Sequence, residues 1–248
     1  MTAPSGATPY DLHGRVALVT GGAGGLGQAV SAAFAGAGAT VIIVESAQQR
    51  AAAEAMIAAA SARGERMSYL AADVLDEASV QTTIGAIMAE QQRLDVVLNL
   101  VGGFAAGQPV TALDLVTWQR MLDLNVRSAL LVSKHAGSVM AQRGEGCILN
   151  ISSRGARTGR KHAAAYAIAK GAIITLTEVQ AEEMRDQGVR VNCILPSIID
   201  TPANRASMPG ADYARWPRAE DVARVLLFLA SDDAKLISGA AIPVYGLA

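Results

Sequence analysis

Tyr166 lies thirteen residues after Ser153, and Lys170 follows it at i, i+4 inside an Ala-rich stretch that reads as helix. That spacing puts the phenol and the ammonium on one helix face. A neighbouring cation lowers a phenol's pKa from about 10 toward neutrality, which makes a side chain able to give and take a proton. Standing alone, the pair would be an ordinary surface Tyr and Lys.

A second constellation lies near the start of the chain. Val16 to Thr20 is followed by Gly21, Gly22, Ala23, Gly24, Gly25, Leu26 and Gly27, then by an amphipathic stretch running to about Ala37. Glycines let the backbone turn tightly and approach a pyrophosphate, while the free amides and positive dipole at a helix start face the anion. The run sits between a first strand and a first helix, and no Gly-Lys-Ser/Thr follows to indicate a triphosphate loop. It therefore reads as a dinucleotide cradle. Glu45 closes the second strand eighteen residues after Gly27, near the spacing at which an acid meets the adenosine ribose. A carboxylate there accepts the ribose hydroxyls and repels a 2′-phosphate. No Arg or Lys stands between Thr20 and Glu45, and Ser46 comes next, so NAD is favoured over NADP. The competing reading of Glu45 is a solvated acid at a strand end.

The elements that must position these groups alternate along the chain. Short β-branched runs occur at Val16 to Thr20, Thr40 to Glu45, Met67 to Ala71, Asp95 to Asn99, Cys147 to Ser152, Val189 to Leu195 and Ala240 to Val244. Between them apolar residues recur at three and four, as in Val30, Phe34, Ala37 and in Ile84, Ile87, Met88. Continuous apolar strands separated by helices predict an α/β fold whose parallel sheet is covered on both faces. With the glycine turn after the first strand, the expectation is a single-domain Rossmann fold: a seven-stranded, doubly wound parallel sheet over 11–248, preceded by a loose tail over 1–10.

Taken together, Thr20-Gly-x-x-x-Gly25-x-Gly27, Asp73-Val74, Asn99, Leu124-Asn125-Val126, Ser153, Tyr166-x-x-x-Lys170 and Pro196 to Thr201 make the chain resemble the short-chain dehydrogenase/reductase family from Arg15 to Gly246. The resemblance implies that Ser153 hydrogen-bonds a substrate oxygen while Tyr166 moves its proton. Lys170 would hold the nicotinamide ribose and depress the tyrosine pKa, and Asn125 would anchor a water relay. Around the cofactor it implies Gly21, Gly25, Leu26 and Gly27 at the phosphates, and Asp73 with Val74 at adenine. Asn99 and Gly102 would lie on the adenosine ribose side, and Pro196, Ile199 and Thr201 at the carboxamide end. Two positions depart from the family pattern: Asn99-Leu100-Val101-Gly102 stands for Asn-Asn-Ala-Gly, and Pro196-Ser197 for Pro-Gly. The expected activity is NAD(H)-dependent hydride transfer between nicotinamide and a small secondary alcohol or ketone.

The substrate loops are expected at 101–110, 154–165 and 200–218. Val101 to Gly107, Leu195 to Arg205 and Ser207 to Trp216 are similar to the dihydropteridine reductase branch of the family, which makes NADH-dependent reduction of a dihydropterin the alternative. Residues 154–162 carry Arg154, Arg157, Arg160, Lys161 and His162 without an acid, either a rim that attracts an anionic substrate or a solvated loop. A reading from another class is a protein that only senses NAD(H), which needs the glycines and Glu45 but not the Ser153, Tyr166 and Lys170 set.

Composition narrows the field. The 248 residues hold 21 Lys and Arg against 22 Asp and Glu, with 4% aromatic residues, so there is neither the basic footprint nor the stacking platform of a nucleic-acid binder. With 51% hydrophobic and 17% charged residues the chain can bury a large core. The uncharged stretch from Val16 to Val44 is broken by glycines, which argues against a membrane span. Cys147 and Cys193 sit in apolar runs as expected buried thiols, consistent with a reducing, cytoplasmic setting. No His, Cys and Asp cluster has metal-ligand spacing. By resemblance, the helices over 111–141 and 163–186 would pack subunits into a homotetramer or a dimer.

Overall fold

In the computed structural model, which describes residues 9–248, seven strands form one sheet: β1 Val16–Thr20, β2 Thr40–Glu45, β3 Arg66–Ala71, β4 Val96–Asn99, β5 Gly146–Ile151, β6 Val189–Pro196 and β7 Ala241–Val244. Their order is β3-β2-β1-β4-β5-β6-β7, and every pairing is parallel. The doubly wound Rossmann architecture expected from the sequence is the architecture found.

Alternate residues of each strand serve opposite layers. From β1, Ala17 and Val19 join a core with Val30 and Phe34 of α1 (Gly25–Gly36) and Val222, Leu226 and Leu227 of α9 (Ala219–Ala230). Val16 and Leu18 face the other way, against Val80, Ile84 and Ile87 of α3 (Glu77–Gln91) and Leu131, Val132 and Met140 of α5 (Ser128–Arg143). Helices therefore cover both faces, which is why the central strands β1, β2 and β4 are nearly continuous apolar runs instead of alternating. The remaining helices are α2 Arg50–Ser61, α4 Leu115–Leu122, α6 Gly155–Thr158, α7 Ala164–Glu183 and α8 Pro202–Ser207.

Strand ends differ from expectation by a residue, for local reasons. Asp95 precedes β4 because its carboxylate accepts the Val16 amide at 2.7 Å and pairs with Arg93 and Arg143. Ser152 follows β5 with its hydroxyl donating to the Lys170 carbonyl at 2.7 Å. Of the expected tail, residues 1–8 lie outside the described residues; Tyr10 packs near Phe228, with ring centroids 6.1 Å apart, and Leu12 is fully buried. Among the described residues no helix is long and apolar enough to cross a membrane.

Strand order reverses between β1 and β4, and in open parallel sheets ligands bind in the crevice beyond the strand ends at that point. The glycine turn after β1 and the loop after β4 border it.

Candidate active site

The glycine turn is built around one close approach. A Cβ on Gly27 would lie 2.0 Å from the Gly21 carbonyl oxygen, so the first turn of α1 packs directly on the preceding backbone and admits no side chain there. Gly21 itself turns in the left-handed region at φ 68° beside the Leu100–Val101 backbone. At its N-terminus α1 has neither a side-chain cap nor an acid in its first turn, so the amides of Gly25, Leu26 and Gly27 stay open to an anion. These features fit a dinucleotide pyrophosphate.

Glu45, half-buried at the end of β2, accepts the Ala23 and Ser46 amides, each at 3.3 Å. Burial pushes its pKa up while the two amides pull it down. It shares a cleft of about 640 Å³ with Asp73, Val74, Val101 and Leu124. Asp73 spends its carboxylate on the Leu75 amide at 2.9 Å, leaving the buried Val74 as the apolar floor. Asn99 is turned inward instead: its side-chain nitrogen donates to Ser133 at 2.9 Å and to Asn150 at 2.8 Å and so pins the sheet, while its buried Oδ1 has no hydrogen-bond partner among the described residues. At the far end a Cβ on Gly25 would meet Thr201 Cγ2 at 3.1 Å, which brings the segment after β6 over the glycine turn. Thr201 is fixed there as the cap of α8, accepting the Asn204 amide at 3.3 Å. Pro196 accepts the Arg154 amide at 2.9 Å, and Ile199 packs on the core while its carbonyl accepts the Asn204 side chain at 2.8 Å.

The four residues expected to do chemistry come together beyond β4 and β5. Ser153 accepts the Gly155 amide at 3.1 Å, and a Cβ on Gly155 would lie 3.6 Å from Ser153 Oγ and 3.7 Å from Tyr166 Cε1, so hydroxyl and phenol converge on that glycine. Lys170 is buried in α7 and donates from Nζ to the Ile151 carbonyl at 2.8 Å. A Cβ on Gly102 would sit 3.3 Å from that Nζ and 2.8 Å from Asn125 Oδ1, so the glycine leaves lysine and asparagine a shared space. Asn125 accepts the Gly103 amide at 3.1 Å and donates to the Gly103 and Met121 carbonyls at 3.1 and 3.0 Å. It lies in a π-helical turn, Asp123–Arg127, between α4 and α5. Such turns recur at functional sites because they displace one residue from the helical repeat.

The electrostatics depart from the expectation that Lys170 lowers the Tyr166 pKa. Burial pushes the Tyr166 phenol up, and the groups that pull it down are the Ser153 hydroxyl and the Arg160 guanidinium. Lys170 Nζ stands 6.0 Å from the Tyr166 ring centroid, and burial lowers its own pKa to about 8. Sequence reasoning missed Phe104, whose ring meets Tyr166 edge-on at 4.9 Å, and Ser152, which anchors α7 beside Lys170. An isolated aromatic within Gly102 to Gly107 was the available signal for Phe104.

Fold and site together define a nucleotide-binding α/β protein carrying a Tyr–Lys pair at the mouth of its cradle. A family model described as enoyl-(acyl carrier protein) reductase matches residues 21–246. The chain belongs to the short-chain dehydrogenase/reductase family. The D-threitol dehydrogenase of Mycolicibacterium smegmatis is 34% identical over 248 residues, 96% of this chain and 94% of its own. The cis-4-hydroxycyclohexanecarboxylate dehydrogenase of Sinomonas cyclohexanicum is 34% identical over 240 residues, 94% of this chain and 95% of its own. Among solved structures, an NAD⁺-bound xylitol dehydrogenase superposes with a TM-score of 0.87 at 26% identity, covering 94% of this chain and 98% of its own. Another solved neighbour is a complex with NADP, so the family's use of a nicotinamide dinucleotide does not by itself choose between the two.

Proposed function

We propose that the protein is an NAD(H)-dependent oxidoreductase that interconverts a small secondary alcohol and its ketone. The observation that carries this reading is the convergence of Ser153 and Tyr166 on Gly155, beside buried Lys170. The nicotinamide supplies or accepts the hydride. Tyr166 Oη takes the proton of the substrate hydroxyl in oxidation and returns it to the carbonyl oxygen in reduction, while Ser153 Oγ hydrogen-bonds that oxygen. Lys170 would hold the nucleotide ribose with its positive charge, and Asn125 holds the Gly103 backbone against the site. Gly21, Gly25, Leu26 and Gly27 would hold the pyrophosphate, and Glu45, Asp73, Val74, Asn99 and Gly102 the adenosine half. Pro196, Ile199 and Thr201 would hold the carboxamide end. Preference for NAD over NADP rests on the Glu45 carboxylate at the cleft. Relatives named for a polyol and for a hydroxycyclohexane acid support an alcohol substrate.

The test follows nicotinamide absorbance with secondary alcohols plus NAD, then ketones and quinonoid dihydropterin plus NADH, beside Tyr166→Phe. Turnover of an alcohol or ketone that Tyr166→Phe abolishes without loss of NADH binding is expected. Turnover of the pterin alone would move the protein to the dihydropteridine reductase reading, and tight NADH binding with no turnover in the wild type would leave a nucleotide sensor.

A further inference from the structure

The loop after β4 carries a single aromatic residue, Phe104, half-exposed at 50%. One side of its ring is engaged by Tyr166, at 4.9 Å between centroids and 76° between planes. Over the same ring stands the guanidinium of Arg160, with its carbon 5.3 Å from the centroid. The two loops are also joined through their backbones, since the Gly107 amide donates to the His162 carbonyl at 2.8 Å. His162 adopts φ 62° at this junction, a left-handed conformation uncommon outside glycine. Arg160 is thus held one aromatic ring away from the proton-transferring phenol.

Its charge is not spent within the protein. Residues 154–162 contain no acid, and among the described residues no carboxylate lies within ion-pairing reach of Arg160. A guanidinium stacked over a ring keeps N–H edges open, and two parallel N–H groups match one planar carboxylate. Between Tyr166 and Arg160 the exposed side of the Phe104 ring offers an apolar surface. A molecule spanning the site therefore meets a proton-transfer group at one end, an apolar wall in the middle and an unpaired cation at the other.

We propose that Arg160 binds the carboxylate of the substrate, and that the substrate is a hydroxy acid or oxo acid whose carboxylate is separated from the reacting carbon by an apolar spacer. This rests on the alcohol–ketone reading above. From its place over Phe104, Arg160 also draws the Tyr166 phenol toward a lower pKa, against the larger upward push of burial.

The probes are 4-oxocyclohexanecarboxylate and its methyl ester, compared for reduction by NADH and for binding. Binding is measured by calorimetry on the NADH complex of Tyr166→Phe, where no turnover interferes. The acid is expected to be favoured over the ester by about tenfold or more, as for a charge-assisted contact. Adding Arg160→Gln should bring that ratio close to one, and Arg160→Lys should restore part of it. Because the acid-to-ester ratio is read within each variant, a general loss of turnover cancels. Equal affinity for acid and ester, or a ratio that Arg160→Gln leaves unchanged, overturns the proposal whatever the turnover shows. Ketone reduction without an acid preference would sink the anion site alone. Arg160-dependent acid binding with no ketone reduced would keep the anion site and sink the alcohol–ketone reading.

Discussion

Lys170 Nζ donates to the carbonyl oxygen of Ile151 at 2.8 Å, so a buried ammonium in the middle of α7 is tied to the end of β5. The contact satisfies the charge with one neutral acceptor, and burial accordingly lowers the lysine pKa from 10.5 to about 8.

Removing that charge should stabilise the fold. The shift corresponds to roughly 3 kcal/mol of burial cost, offset in part by about 1–3 kcal/mol for leaving the Ile151 carbonyl unpaired in Lys170→Met. Below pH 8 the lysine is charged in both states, and the folded protein carries the whole cost. Between about 8 and 10.5 the folded protein gives up the proton first, so the cost shrinks and is gone above that window. Urea unfolding should show Lys170→Met gaining on the wild type most at pH 6.5 and least near pH 10, with turnover lost throughout. An advantage that does not change with pH would show that no charge is buried there.

Glu45 should set cofactor choice in a pH-dependent manner. Glu45→Gln can keep one of the Ala23 and Ser46 amide contacts, which fall on different carboxylate oxygens, and removes the charge that repels a 2′-phosphate. The NADH-to-NADPH ratio of kcat/KM should fall by about tenfold or more, since like-charge juxtaposition costs several kcal/mol. Because burial pushes the Glu45 pKa up, wild-type discrimination should relax as pH falls through the raised carboxylate range, whereas the glutamine variant should stay flat. A wild-type ratio that ignores both changes would remove Glu45 as the selector.

Two glycines in helices should respond in opposite senses. Gly27→Ala places a Cβ 2.0 Å from the Gly21 oxygen and 2.7 Å from Gly22 Cα, which should lower stability by at least about 1–3 kcal/mol and abolish NADH binding. Gly85, inside α3, has nothing within 4 Å of an added Cβ, so Gly85→Ala should raise stability by about 0.5–1 kcal/mol. Thermal unfolding with and without NADH reads both.

Alcohol oxidation needs the Tyr166 phenolate, so kcat/KM should rise with pH as the phenol ionises. Arg160 helps hold that ionisation down against burial. Arg160→Gln should therefore move the rising limb to higher pH, even with an uncharged alcohol. A limb that stays in place would assign it to a group other than Tyr166.

The central strands were legible because they cross the core and are apolar on both faces, as residues 16–19 and 41–44 are, whereas the edge strands Arg66–Ala71 and Ala241–Val244 are only partly buried. The Gly21 to Gly27 turn was legible for a related reason: a position where a Cβ would overlap a carbonyl admits no residue but glycine. Contacts set by loop geometry were hidden. Nothing in the spacing of Phe104, Arg160 and Tyr166 places them in one stack, and Asn99 turns toward Ser133 and Asn150 only because the pleat at the end of β4 points it there. The i, i+4 spacing of Tyr166 and Lys170 reports a shared face but not where an ammonium on a four-carbon stem is aimed, so it does not reveal Arg160 as the cation acting on the phenol.

The π-helical turn at Asp123–Arg127 makes the site sensitive to chain length as well as to side-chain identity. The wide turn takes up one residue beyond the α-helical repeat, so α4 and α5 keep their phase across it and the side chains of the turn itself are displaced. Upstream of it Trp118 and Met121 pack in one cluster with Tyr166, while downstream Leu131, Val132 and Ala136 face the sheet. Deleting one residue within 123–127 would join the two segments into a continuous α-helix, leaving both packed as they are and drawing the displaced side chain back into the helical repeat. Such a deletion, even one that spares Asn125, would draw that asparagine away from the Gly103 backbone while the helices on either side stay folded.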